Sequence, residues 1–149
     1  MRRYLTVTAT LLVLAGCGDG SPTGTRFGLT LHAARARWES TGVDRYQITV
    51  RRLCFCGFVE PVHVTVEDGV VVSRTVAATG DPVPATYAEY FPDVPGLFAI
   101  VEEAAQDADD LDTEFDATYG FPAVISIDWA YNWADDEIVY RTEAFAATP

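Results

Sequence analysis

An α+β domain is the fold this sequence predicts: two helix-plus-three-strand units forming one antiparallel sheet, with the helices on one face. Three observations carry the prediction. Two segments, 30–41 and 94–108, place apolar residues at helical spacing. Each is followed by stretches in which apolar and polar residues alternate. Gly57-Phe58 in the first half recurs as Gly120-Phe121 in the second, each just ahead of a middle strand. Sequential strands with segregated helices make an α+β domain.

The first helix is read over 30–41, where Leu31, Ala34 and Trp38 share a face and Gly42 stops it. Over 45–53, Tyr46, Ile48 and Val50 point inward, and Gln47, Thr49 and Arg51 outward. Cys54-Phe55-Cys56-Gly57 then marks a turn. In 61–67, Val62, Val64 and Val66 alternate with His63, Thr65 and Glu67. Asp68-Gly69 is a tight-turn signal, and Val70 to Val76 returns as a third strand. Residues 79–93 carry three prolines and several aromatics and read as an ordered connecting loop. Asp93-Val94-Pro95 opens a second helix whose inner stripe is Leu97, Phe98, Val101, Ala104, Ala105 and Ala108. Leu111, Thr113 and Phe115 then alternate with Asp112, Glu114 and Asp116. Ile125, Ile127 and Trp129 line the next strand, 131–136 turn, and 137–145 form the last. Trp38, Phe98, Val101, Ile125 and Ile127 are expected to meet in one core.

Ahead of this domain stands a leader. Arg2 and Arg3 give a positive start, and Leu5 to Leu14 is an uncharged, mostly apolar run, too short to span a bilayer but suited to a signal-peptide core. Leu14-Ala15-Gly16-Cys17 follows directly and resembles the bacterial lipobox, where lipid is added to the cysteine and the chain is cut before it. Residues 1–16 are therefore read as a lipoprotein signal peptide, 17–29 as the lipidated Cys17 with a flexible tether, and 30–149 as a single domain. Such lipoproteins carry two or three palmitate-type acyl chains. At about 0.8 kcal/mol per buried methylene, one chain holds only marginally and two or three hold durably. The expected location is the bacterial cell envelope, on the extracytoplasmic side of a membrane.

The formal charge is −12 over 149 residues, and it becomes more negative once Arg2 and Arg3 are cut away. All basic residues are arginine. So acidic a chain repels phosphate backbones and anionic lipid, which excludes nucleic acid as a partner and leaves membrane contact to the anchor. With 49% apolar and 12% aromatic residues the chain is globular.

With Cys17 given to lipid, Cys54 and Cys56 remain. On an extended strand they would stand about 6.6 Å apart on the same side, just beyond the usual disulfide Cα spacing of about 5.5–6 Å; a bend at Gly57 would shorten it. Three readings stay open: a local disulfide favoured by an oxidising compartment, a redox-active or sulfenic-acid-sensing pair with Arg51 and Arg52 close by, and a soft-metal site for copper(I). His63 points outward as a surface residue, and His32 stands alone. No H-E-x-x-H, G-x-S-x-G or phosphate-cradling loop occurs, so no enzyme activity and no cofactor are expected. Asp116 and Asp128, with Asp135 and Asp136 in the last turn, form a candidate acidic cation site; oxygen ligands of this kind suit Ca²⁺, and a solvated acidic face balanced by Arg141 is the competing reading. Tyr87, Tyr90, Phe91, Tyr131 and Trp133 suit either a binding patch or a satellite core under a long loop.

Several of these residues together resemble a family of small bacterial lipoproteins classified only as a domain of unknown function. They are Trp38 before the first strand, Tyr46 opening it, Cys54-x-Cys56 ending it, Leu97-Phe98 in the second helix, D-x-x-x-G-[FY]-P over Asp116–Pro122, and Asp128. The resemblance covers residues 33–145 and implies no activity. The layout also resembles periplasmic inhibitory and assembly modules, in fold alone. The functional expectation is a membrane-anchored envelope module that binds an envelope protein or ligand, or serves a structural role, without catalysis. A thiol-redox protein using Cys54 and Cys56, or a metal-binding module, is the alternative.

Overall fold

The structure, a computed structural model, describes residues 22–148. The expected signal peptide and Cys17 lie outside the described residues. Helix α1 spans Pro22–Thr41, followed by strands β1 (Tyr46–Leu53), β2 (Val62–Glu67) and β3 (Val70–Val76). Helices α2 (Ala85–Ala88) and α3 (Val94–Asp107) precede β4 (Asp110–Phe115), β5 (Pro122–Asp128) and β6 (Ile138–Ala147). The backbone is already helical at Pro22, within the stretch expected as tether. Proline suits a first helical turn because the N–H it lacks has no partner there.

The six strands form one antiparallel sheet in the order β3-β2-β1-β6-β5-β4. This corrects the expectation of two helix-plus-three-strand units on a balanced α+β plan. The sheet dominates the molecule and does not divide. Strand β6, the longest, pairs along the whole of β1, from Tyr46↔Ala147 to Leu53↔Val139, with a bulge at Thr49/Val50. A separate three-stranded unit would leave the N–H and C=O groups along that side of β1 unpaired; pairing with β6 satisfies them and joins the halves. The helices are also unequal, since α2 has four residues and no buried side chain.

The alternating patterns place their apolar members in one core. Ile48, Val50, Val62, Val64, Val66, Ile125 and Ile127 from the sheet meet Ala34 and Trp38 of α1 and Leu97, Phe98, Val101 and Ala104 of α3. Helix α3 starts where its sequence marks it. Asp93 Oδ1 accepts the Gly96 N–H at 2.9 Å, with proline in the first turn.

Tyr46 fixes that start to the sheet, its hydroxyl accepting the Val94 N–H at 3.1 Å. Burial pushes this phenol up to about 12, with Asp93 adding to the effect and the Val94 N–H opposing it. Burial raises Tyr140 as well, against the Arg52 guanidinium. An unfolded tyrosine ionises near 10. The stability Tyr46 contributes is therefore complete below about pH 10 and is lost as pH rises through about 12. Urea unfolding measured between pH 9 and 12 should show falling midpoints. Tyr46→Phe should flatten part of that fall and cost ~1–2 kcal/mol at neutral pH, because the Val94 N–H loses its acceptor.

Candidate functional site

Both ends of the sheet carry residues singled out by the sequence. At one end β4 turns into β5 through Asp116–Phe121. Asp116 Oδ1 accepts the N–H groups of Thr118 at 2.9 Å and Tyr119 at 2.6 Å, and the Gly120 N–H returns to Asp116 O at 2.9 Å. Phe121 then enters a cluster with Phe145 (ring centroids 4.9 Å), Tyr119 and Trp38. Asp116 thus holds a turn that locks α1 to the sheet. A shallow groove of about 270 Å³ beside it, lined by Tyr119, Phe145 and Glu143 among others, falls below the ~300–1,000 Å³ of most small-molecule sites.

The opposite end gathers the remaining candidates. Leu53 faces Val139 at the start of β6, so the β1–β2 loop and the β5–β6 loop leave the sheet side by side. In the first loop Cys54 and Cys56 are joined as a disulfide with Cα atoms 5.3 Å apart. The Cys56 N–H bonds Cys54 O at 2.9 Å, which supplies the bend that an extended strand lacks. Both cysteines are half-buried, while Phe55 between them is 84% exposed. In the second loop Tyr131 and Trp133 are 69% and 72% exposed. Leu53, Val59 and Tyr90 add smaller exposed apolar areas.

The aromatics named from the sequence divide between its two readings. Phe91 is fully buried, and Tyr87 stacks on Phe58 at 5.1 Å, as a satellite core requires. Tyr131 and Trp133 face solvent. Phe55 was not singled out by sequence reasoning, although its place between two linked cysteines forces it away from the strand's packing.

The four acids of the candidate cation site do not all come together. Asp116 lies at the turn end, and Asp128, Asp135 and Asp136 lie at the loop end. Asp136 Oδ2 accepts the Ala130 N–H at 2.8 Å, and Asp109 Oδ2 accepts the Tyr131 N–H at 3.0 Å. The Oδ1 atoms of Asp128 and Asp136 are enclosed without a hydrogen-bond partner. Burial raises the Asp128 carboxyl, and Asp136 and Glu137 add to that effect. Asp110 is the register partner of Asp128. Among the described residues no three or more His, Cys, Asp or Glu side chains are grouped so as to hold a metal ion. His63 Nδ1 lies 2.9 Å from Thr49 Oγ1 on the sheet face away from the helices. No described helix is long and apolar enough to cross a membrane.

One residue gains weight from the structure. Tyr46, Ile48 and Val50 define the inward phase of β1, and Arg52 continues it. Its guanidinium lies 4.6 Å over the Tyr90 ring, its Nη1 stands 3.5 Å from Cys56 Sγ, and its Nε is enclosed without an acceptor. The charge of Arg52 is therefore directed at the disulfide.

Residues 30–147 match the model of a family of unknown function, DUF6174. No curated protein matches the chain, and no solved structure does.

Proposed function

We propose a role for this chain from the premise that it belongs to DUF6174, a family whose own description assigns no function: it is a bacterial envelope lipoprotein, held to a membrane through Cys17, that binds a basic polypeptide surface at the loop end of its sheet. The observation that carries the reading is the joint exposure of Phe55, Tyr131 and Trp133 on adjacent loops. Large exposed aromatics on neighbouring loops are characteristic of binding surfaces. Their surroundings set the partner's charge. Asp109, Asp110, Asp128, Asp135, Asp136 and Glu137 border the second loop, in a chain of net charge −12. An anionic rim around apolar anchors fits a partner that presents arginine or lysine beside apolar side chains. The lipobox-like Leu14 to Cys17 supports the anchor, and a lipid-held module brings its binding end to partners at the same membrane.

Trp133 is its own reporter. A peptide alternating arginine and leucine should shift its emission to shorter wavelength, with an affinity that falls as salt rises. An aspartate-leucine peptide should not. Tyr131→Ala with Trp133→Ala should weaken binding of the arginine peptide, read by calorimetry, by at least about tenfold, while leaving the melting temperature within a few degrees. Equal binding of both peptides, or of both proteins, would overturn the binding site. The anchor is tested separately: Cys17→Ser should leave an unprocessed or soluble protein while the wild type partitions into detergent, and if both fractionate alike as soluble proteins the anchor is wrong.

A further inference from the structure

We propose that the Cys54–Cys56 disulfide is an exchange-active one that passes to dithiols in extended polypeptides, with Cys56 as the sulfur that leaves. The inference rests on Arg52 and on the loop itself, independently of Trp133 and the acidic rim.

The placement of Arg52 is the first argument. The described residues form three ion pairs, Arg35–Glu102, Arg45–Asp68 and Arg51–Glu143, and none uses Arg52. In an acidic chain this cation lies half-buried against Tyr90 and beside Tyr140, with Nη1 directed at Cys56 Sγ from 3.5 Å. A disulfide sulfur carries almost no charge and gains little from such a neighbour. A thiolate gains a great deal, since opposite charges at this distance strongly favour the ionised form. The groups facing Cys56 are thus Arg52 of β1, flanked by Tyr90 and Tyr140, and the Phe58 carbonyl, whose oxygen is 3.6 Å from Sγ. That carbonyl would accept a thiol proton and opposes ionisation. A full guanidinium charge at the shorter distance outweighs a carbonyl dipole.

Loop size is the second argument. The disulfide closes a loop containing one residue, and a loop so short removes little entropy from the unfolded chain. It contributes little to stability and is correspondingly easy to lose. Both cysteines are half-buried on this loop, and the exposed Phe55, Leu53 and Val59 beside them give an extended apolar segment something to rest on.

The exchange balances without another reagent. A thiolate of the substrate attacks Cys54 Sγ, the Cys54–Cys56 bond breaks, and its electron pair leaves on Cys56 as a thiolate beside Arg52. The substrate's second thiolate then attacks its own sulfur in the mixed disulfide and releases Cys54 as a thiolate. The substrate dithiol is oxidised to a disulfide, the protein disulfide is reduced to two thiols, and two electrons and two protons pass from one to the other. Exchange is faster when the leaving thiol has the lower pKa, which is the role assigned to Arg52.

The test uses the full exported chain and a peptide carrying two cysteines. At equal concentrations the peptide should become oxidised as the protein becomes reduced, followed by mass. In the reduced protein, brief alkylation should label Cys56 before Cys54, with a pH midpoint at least about one unit below the ordinary 8.5. Arg52→Gln should return that midpoint to the ordinary range and slow exchange by about tenfold or more; Arg52→Lys should restore part of both. Circular dichroism establishes that each variant is folded, and if Arg52→Gln is not, the labelling order in wild type and Arg52→Lys decides. A peptide left reduced after hours, preferential labelling of Cys54, or identical midpoints with and without the charge would each overturn the proposal. Arginine-peptide binding at Trp133 is read separately, so failure of one leaves the other standing.

Discussion

Replacing Phe98 by alanine should lower the free energy of unfolding by ~3–5 kcal/mol, read from urea titration at neutral pH. Phe98 is 1% exposed at the centre of α3's buried stripe. Its ring stacks on Phe115 of β4 at 6.3 Å, and the Arg35 guanidinium of α1 lies 5.0 Å over it. One side chain thus touches both long helices and an outer strand. Removing the ring leaves a cavity that none of the three can fill alone, and it strips the contact that guides Arg35 toward Glu102. Phe98→Leu keeps most of the volume and should recover more than half of the loss. A Phe98→Ala protein that unfolds at the wild-type urea concentration would mean that α3 does not hold the sheet in this way.

Gly120→Ala should be nearly as damaging, at ~2–4 kcal/mol, for two reasons that add. Gly120 has φ +85°, a conformation that strains any residue with a Cβ. A Cβ there would also press on the Ala34 carbonyl of α1 and come within 3.0 Å of Arg37 Cβ. The helix would have to withdraw from the turn, breaking the Arg37 Nη1 bond to Ala117 O, which is 2.8 Å long. Gly69→Ala is the matched control. It has φ +74° but open space around it, so it should show the strain alone and cost about 1 kcal/mol. Equal losses at the two positions would remove the contact with α1 as a cause.

These two sites mark what local sequence can and cannot reveal. The inward faces of β1, β2, β4 and β5 were legible because side chains alternate strictly along a strand, so Ile48, Val64 and Ile127 declare their side without reference to anything distant. The Asp68-Gly69 turn and the Asp93 cap were legible for the same local reason. The pairing of β1 with β6 was not, because register between strands far apart in sequence leaves no local period. Helix α2 was hidden in a proline-rich stretch and is too short to show a face. For the site, the closeness of Cys54 and Cys56 could be read from their spacing. Arg52 lay in phase with Tyr46, Ile48 and Val50 and could have been found by continuing that alternation through a charged residue. The exposure of Trp133 and the burial of Phe91 could not, since both follow from how loops pack.

The position of β6 also dictates an order of events in time. Among the six strands it is the last to be synthesised, yet it lies in the interior of the sheet. While it is still being made, β3-β2-β1 ends in the bare side of β1, and β4-β5 ends in the bare side of β5. No partial chain can complete this sheet from its beginning, and contacts so distant in sequence form slowly. The nascent protein therefore passes through a stage with two more open strand edges than the finished sheet, when capture by a chaperone or pairing with a second nascent copy competes most directly with folding.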